Sequence, residues 1–189
     1  VARMCRTWQP DAVMAWMPRA ARLIPKYADA VKLTRLGDFP RHLQHFNRCD
    51  ALVGNTPDIG IHCRKLGWTK PMLTISNFPR PVTPVPVTRS EHGTPDDAFL
   101  ISGAGRFVPR KGMDLLVRAA ARIPKAWLWL IGDGVERPKL EKLVAELGIT
   151  DRTRFIGWVA EPIHHLASAD VVGMPSRHEP LGNVVLEGW

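Results

Sequence analysis

The sequence predicts an α/β protein of two doubly wound, parallel-sheet domains, and three observations carry that prediction. Short apolar runs alternate with segments of helical period along most of the 189 residues, which is the pattern that β-α-β units produce. The alternation breaks once, between about Phe78 and Pro95, where Phe-Pro-Arg-Pro-Val-Thr-Pro-Val-Pro-Val-Thr is too rich in proline for a central strand or a helix. It then resumes as a second series. The expected organisation is a first domain over residues 1–78, an interdomain linker over 79–97 and a second domain over 98–189.

In the first series, strands are expected at Ala12–Trp16, Val31–Leu36, Asp50–Gly54 and Met72–Ser76. Helical or turn-like segments around Pro18–Tyr27, Pro40–Cys49 and Thr56–Leu66 separate them. Thr56-Pro57-Asp58 reads as a helix start, with Thr56 as the cap and Pro57 at the first helical position. In the second series, strands are expected at Ala98–Gly103, Trp127–Ile131, Arg154–Trp158 and Val171–Met174. Helices are expected at Met113–Ile123, Pro138–Leu147 and Pro162–Ala169, with a further helix beginning at Asn183. Leu140, Leu143, Val144 and Leu147 share one face of the second of these, and Gly148 stands where its C-terminal cap should be. The chain opens at Val1 without an initiating Met and stops at Trp189 just after a helical pattern has begun, so both domains are expected to be incomplete. A sheet lacking its edge elements leaves apolar surface uncovered.

Composition narrows the class. With hydrophobic residues at 45%, the chain can bury a sizeable core. The longest apolar stretches, such as Ala126–Ile131 and Val171–Met174, fall far short of the roughly 20 residues that cross a bilayer. A cytoplasmic protein is expected. Cys5, Cys49 and Cys63 are odd in number, widely spaced and without a C-x-x-C pair, so reduced, partly buried thiols are expected rather than a disulfide framework or a zinc site. The net charge of +8 is concentrated: residues 1–90 hold 14 Lys and Arg against 5 Asp and Glu, while residues 91–189 hold 12 against 13. A basic first half suits an anionic partner, whether nucleic acid, an acidic membrane surface or a phosphorylated acceptor, or else is a solvated face. The cations lack interleaved aromatics and any nucleic-acid reading motif, which counts against nucleic acid.

In open α/β sheets, ligands sit beyond the carboxyl ends of the strands, so the loops after the strands are the candidates. The loop Gly103-Ala-Gly105-Arg106-Phe-Val-Pro-Arg110-Lys111-Gly112 sets glycines, which let a ligand approach the backbone, beside three cations suited to phosphate oxygens. It could equally be an ordinary basic loop. The loop Gly132-Asp-Gly134 ends a strand tightly, but no third glycine completes a dinucleotide fingerprint and no acidic residue ends a second strand, which argues against a dehydrogenase. In Pro175-Ser-Arg-His-Glu179-Pro-Leu181-Gly182-Asn183-Val184-Val-Leu-Glu187, the helix start at Gly182-Asn183 offers free N–H groups to a pyrophosphate. Glu187 can accept hydrogen bonds from two adjacent ribose hydroxyls. Two Glu eight positions apart arise by chance in roughly a quarter of sequences like this one, so the context and not the spacing carries the signal. His42 and His45 read as surface residues, and His164-His165 as part of a helix.

The segments G-R-F-x-x-R-K-G-x-D-L-L, L-I-G-D-G-x-E-R, R-F-I-G-W and P-S-x-x-E-P-L-G-N-V-V-L-E occur over residues 98–189 in an order and spacing that resembles glycosyltransferase family 4. The resemblance implies the GT-B fold, two Rossmann-like domains facing each other across a cleft, with the donor held mostly by the second. It implies that Arg106 and Lys111, with Gly105, bind the donor diphosphate and that Glu187 binds the ribose. Glu179 would face the transferred sugar, the amides of Leu181, Gly182, Asn183 and Val184 would lie near the phosphates and sugar, and the loop after Gly157 near the base. Arg106, Lys111 and Glu179 are thereby the expected catalytic residues. The donor expected is a UDP- or GDP-linked sugar, with no cofactor and no metal; the chain has no D-x-D triplet. The first half, through Arg35-Leu36-Gly37-Asp38-Phe39 and Asn47 to Pro57, is similar to the acceptor domain of a bacterial subgroup that builds lipopolysaccharide and other surface polysaccharides. Many members carry a catalytic His after the strand at Val31–Leu36; Arg35-Leu36-Gly37 stands there instead, so no His role is assigned.

The implied reaction retains the anomeric configuration by front-face attack assisted by the leaving phosphate. The acceptor would be a glycan or lipid-linked glycan of the cell envelope, with peripheral contact to the anionic inner membrane surface. A non-catalytic nucleotide-sugar-binding fragment is the alternative.

Overall fold

Apolar-rich segments of two to six residues form the strands. The computed structural model describes residues 1–26, 29–78 and 81–189. The chain divides into two units, Val1–Asn77 and Phe78–Trp189.

The first unit begins with a helix absent from the sequence expectations, α1 (Ala2–Trp8), which buries none of its residues. It continues through β1 (Ala12–Trp16), α2 (Met17–Ala21), β2 (Val31–Leu36), β3 (Ala51–Gly54), α3 (Pro57–Lys65) and β4 (Met72–Thr74), with a 3₁₀ turn at Gln44–Phe46. The expected helical segment Pro18–Tyr27 shrinks to α2 and two turns, and its last residue, Tyr27, lies outside the described residues. The strands are parallel and lie in sequence order, β1-β2-β3-β4.

Right-handed crossovers taken always in one direction put the connecting helices α2 and α3 on the same face. Ala15, Leu36 and Leu52 on that face pack with Ala21, Ile24, Phe46, Cys49, Ile59 and Cys63. On the opposite face Met14, Trp16, Val31 and Leu73 are 40%, 61%, 53% and 50% exposed. All three cysteines are free, Cys49 and Cys63 buried, and burial raises both of those thiols above their ordinary pKa. Thr56 has the extended backbone of a helix cap, yet its side chain makes no capping hydrogen bond and its Oγ1 is buried without a partner. Thr56 and Pro57 thus stand at the expected cap and first helical positions, but α3 starts through the fixed φ and missing N–H of Pro57 and not through a bond from the Thr56 hydroxyl.

The second unit contains β5 (Leu100–Ala104), α4 (Met113–Ala121), β6 (Trp127–Ile131), α5 (Arg137–Glu146), β7 (Thr153–Gly157), α6 (Pro162–Leu166), β8 (Val171–Val172) and α7 (Asn183–Gly188). Its strands are also parallel, but the order is β7-β6-β5-β8. The chain winds outward through β5, β6 and β7, then returns past β5 to place β8 on the other side. That reversal switches the crossover to the opposite face. Ile101, Leu128 and Leu130 therefore pack against α4 and α5 through Leu116, Val117, Leu140 and Val144, while Ala104, Ile131 and Val172 pack against Leu166 of α6 and Val184 of α7.

Within 79–97, expected as a linker, Pro79 and Arg80 lie outside the described residues, and the remainder lies against the second unit. A 3₁₀ turn at Arg89–His92 brings Arg89 to the carbonyls of Ala98 and Ser168 and to Asp170 at 3.2 Å. Thr94 accepts a hydrogen bond from the buried Trp129 indole at 2.9 Å. Proline excludes regular structure here, but not packing.

Candidate functional site

The reversal of strand order between β5 and β8 sends the loops after these two strands to helices on opposite faces, and the loops part at the carboxyl end of the sheet. The loop after β5 is anchored by Phe107, which is fully buried; its N–H donates to the Asp133 carbonyl at 2.8 Å and its carbonyl accepts from Glu136 N–H at 3.0 Å. Gly105 N–H donates to Ile131 O at 2.9 Å, and Gly132 N–H to Gly157 O at 2.7 Å, so the loops after β5, β6 and β7 are tied in series. Gly132 has φ 124°, and a Cβ there would lie 2.1 Å from the Gly105 carbonyl oxygen. Only glycine lets these two turns approach so closely.

The loop ends in a 3₁₀ turn, Pro109–Lys111, and Gly112 at φ 64° starts α4. This turn aims Lys111 at the loop after β8. Its Nζ donates to Glu179 Oε2, and Ser176 Oγ donates to the same carboxylate oxygen at 3.4 Å. The Lys111 and Glu179 side chains are 18% and 14% exposed. The Arg106 side chain, by contrast, is exposed and forms no ion pair or hydrogen bond among the described residues; only its carbonyl is engaged, by Val108 N–H at 2.9 Å.

The two loops are fastened behind this pair by Arg177. Its guanidinium spans the Asp114 carboxylate with bonds of 2.7 and 2.6 Å and reaches the Pro109 carbonyl at 3.0 Å; its backbone N–H donates to Arg110 O at 2.9 Å. The Arg177 hydrogen bond holds the Asp114 carboxyl below its ordinary pKa, against a smaller opposing effect of burial. A Cβ at Gly112 would meet the Pro175 carbonyl oxygen at 2.2 Å, so the backbones touch there too.

Past Glu179 the chain passes half-buried Leu181 and enters α7 at Gly182. A Cβ on Gly182 would lie 2.3 Å from Met174 Sδ and 3.2 Å from Glu179 Cγ, so glycine here makes room for the Glu179 side chain. Asn183 is exposed on the first turn, Val184 packs inward against the Leu166 cluster, and Glu187 is half-buried with no ion pair among the described residues. Gly157 ends β7 at φ 84°, and Trp158 beyond it is 78% exposed.

The structure thus brings Lys111, Glu179 and Gly182 into contact, and Gly105 into register with Gly132 and Gly157. No hydrogen bond or ion pair among the described residues joins Arg106 or Glu187 to that group. Sequence reasoning missed Phe107 as the loop's anchor and the Arg177–Asp114 tie. A fully buried aromatic inside an otherwise basic loop was the available sign for Phe107. The tie spans 63 positions, and nothing local marks it. His165, expected within a helix, lies in α6, with its ring 5.4 Å from that of His92 and 6.2 Å from that of Trp129. No helix among the described residues is long and apolar enough to cross a membrane.

Comparison with known proteins agrees with this architecture. Residues 85–188 match the model of the family "Glycosyl transferases group 1". Over 189 residues the chain is 47% identical to the lipopolysaccharide core biosynthesis glycosyltransferase LpsE of Rhizobium meliloti (strain 1021), covering 100% of this chain and 56% of that protein. It is 46% identical to LpsD of the same strain, over 99% of this chain and 54% of that protein. The chain therefore spans little more than half the length of these relatives. Among solved structures, Anabaena Alr3699/HepE in complex with UDP superposes with a TM-score of 0.81 at 20% identity, over 99% of this chain and 59% of that one. The α/β architecture with two parallel sheets is accordingly that of the GT-B glycosyltransferases, and the chain belongs to the group 1 glycosyltransferases.

Proposed function

We propose that this chain carries the donor site of a retaining family 4 glycosyltransferase that moves a sugar from a nucleotide-diphosphate sugar to a glycan or lipid-linked glycan of the cell envelope. The observation that carries the reading is the meeting of Lys111 and Glu179 where the loops after β5 and β8 part, with Arg106 unpaired on the same loop. The names of the two relatives, both of lipopolysaccharide core biosynthesis, support the envelope acceptor, and the UDP held by the structural neighbour supports a nucleotide-linked donor.

In this reading Arg106 and Lys111 face the donor diphosphate. Cleaving the sugar–phosphate bond leaves negative charge on the departing diphosphate, and fixed cations placed where that charge grows lower the barrier. The amides of Leu181 to Val184 add partial positive charge on the same side. Glu179 meets hydroxyls of the transferred sugar, Glu187 those of the ribose, and the chain after Gly157 borders the base. The charge on the diphosphate is met by side chains and amides, so the reading needs no divalent metal, and front-face attack assisted by the leaving phosphate gives retention. The first unit would take the acceptor; its basic excess suits a phosphorylated or membrane-borne one, with the enzyme cytoplasmic and peripheral on the inner membrane.

Titration calorimetry of the chain with UDP and GDP, and with UDP-glucose and GDP-mannose, tests the donor assignment. One nucleotide series should bind, and Glu187→Ala should weaken it about tenfold or more, as expected when a charged hydrogen-bond acceptor is lost. Unchanged affinity in Glu187→Ala would remove the ribose assignment, and no binding by either series would remove the donor site.

A further inference from the structure

Two of the three cations of the loop after β5, Arg106 and Lys111, are in different states. Arg106 is exposed and unpaired, whereas Lys111 is already neutralised by a carboxylate from another loop. Both members of that pair are more than four-fifths covered, so neither charge could be left alone without a large desolvation cost. We propose that Glu179 is a stand-in for the donor diphosphate: it holds Lys111 until phosphate oxygens displace it, and the freed carboxylate is then satisfied by hydroxyls of the donor sugar. The inference rests on the donor-site reading above and deepens it.

The surroundings favour exchange by side-chain rotation over loop movement. Arg177 fastens residues 175–177 to Pro109, Arg110 and Asp114, and the backbones are in contact at Gly112 and Pro175. The Glu179 backbone is therefore held near Lys111 whichever partner the carboxylate takes. Once displaced, the carboxylate keeps only the 3.4 Å contact from Ser176 Oγ. A nucleoside diphosphate without a sugar takes Lys111 and leaves Glu179 short of partners; a complete donor takes Lys111 and supplies hydroxyls in return. Recognition of phosphate and of sugar are thereby coupled, and the diphosphate left after transfer is disfavoured by the returning carboxylate.

The consequence runs against the usual expectation for a binding-site substitution. Glu179→Gln should tighten binding of UDP or GDP, whichever the chain takes, by about fivefold or more, the usual scale of coupling between linked binding events. It should also shrink the preference for the sugar-linked form over the bare diphosphate. Glu179→Asp, which draws the carboxylate back by one methylene, should move affinity the same way by less. In a Lys111→Met background, where the cation that Glu179 holds is gone and Arg106 alone faces the diphosphate, Glu179→Gln should leave UDP or GDP affinity unchanged. Calorimetry on the unaltered chain, the two Glu179 variants, Lys111→Met and the Lys111→Met/Glu179→Gln double variant reads all of this. Weaker or equal diphosphate binding in both Glu179 variants overturns the exchange, as does an equal tightening in the Lys111→Met background. If the unaltered chain binds neither UDP nor GDP, the donor-site reading itself falls and takes the exchange with it; binding without the Glu179 effect removes the exchange alone.

Discussion

The two sheets are built from the same four-strand parallel unit, yet only the second reverses its strand order. In the first, β1 to β4 follow one another across the sheet, the connecting helices lie on one face, and the other face shows Met14, Trp16, Val31 and Leu73 to solvent. In the second, the return of β8 past β5 puts helices on both faces, although the central strands β3 and β5 of the two sheets are alike in being buried along their whole length. The same reversal parts the loops after β5 and β8 and so makes room for Lys111 to meet Glu179. One topological step therefore yields both the fuller core and the candidate site.

The largest expected contrast lies in side-chain truncation. Trp129 has no exposed surface and hydrogen-bonds Thr94, so Trp129→Ala should cost about 3–5 kcal/mol. Leu73 lies on the uncovered face of the first sheet and is half exposed, so Leu73→Ala should cost under about 1 kcal/mol. Denaturant unfolding of both variants measures the difference, and equal losses would break the contrast between a sheet covered on one face and one covered on two.

A smaller effect is expected at the turn that floors the candidate site. Gly132→Ala would place a Cβ against the Gly105 carbonyl at a backbone φ of 124°. The expected cost is about 3 kcal/mol. Hydrogen exchange should show lost protection in β5, β6 and β7 with β1 to β4 unchanged. Protection lost equally in both sheets would mean that the two units are not separately stabilised.

The smallest expected effect concerns pH and again separates the units. Burial first, then His92 and His164, hold His165 below its ordinary pKa of 6.5, with Glu91 acting weakly the other way. In the folded chain the ring stays neutral at pH values where the unfolded chain already binds a proton. The unfolded state therefore takes up more protons in that window, and stability falls as pH drops below about 6.5. Exchange protection in the second unit should decline between about pH 7 and pH 5.5, and His165→Gln should flatten the decline. A profile identical in the variant would remove His165 as its source.

Much of this was legible in the chain. Trp127–Ile131, Val31–Leu36 and Ala12–Trp16 were read to the residue; the first is the unbroken apolar run that a buried parallel strand needs, while Val31–Leu36 carries Lys32, Thr34 and Arg35 and Ala12–Trp16 is largely exposed. The strand expected at Val171–Met174 ends at Val172, where pairing to β5 stops. α1 was missed because Ala2–Trp8 has no buried stripe to give it a period. Thr56 had the right residue type for a cap in the right place, but a hydroxyl's direction is set by its surroundings, and here it points into a buried spot without a donor or acceptor.

The sequence by itself determined the α/β class, the two series of strands, the likeness to glycosyltransferases and the residue types at the candidate site, since all of these are written in local periodicity and short motifs. Only the tertiary structure decided that one sheet reverses and the other does not, that residues 81–97 pack on the second unit, and that Lys111 is paired while Arg106 is open. Crossover direction and ion pairing across 68 positions depend on which surfaces meet after the chain has collapsed, and no local pattern encodes that.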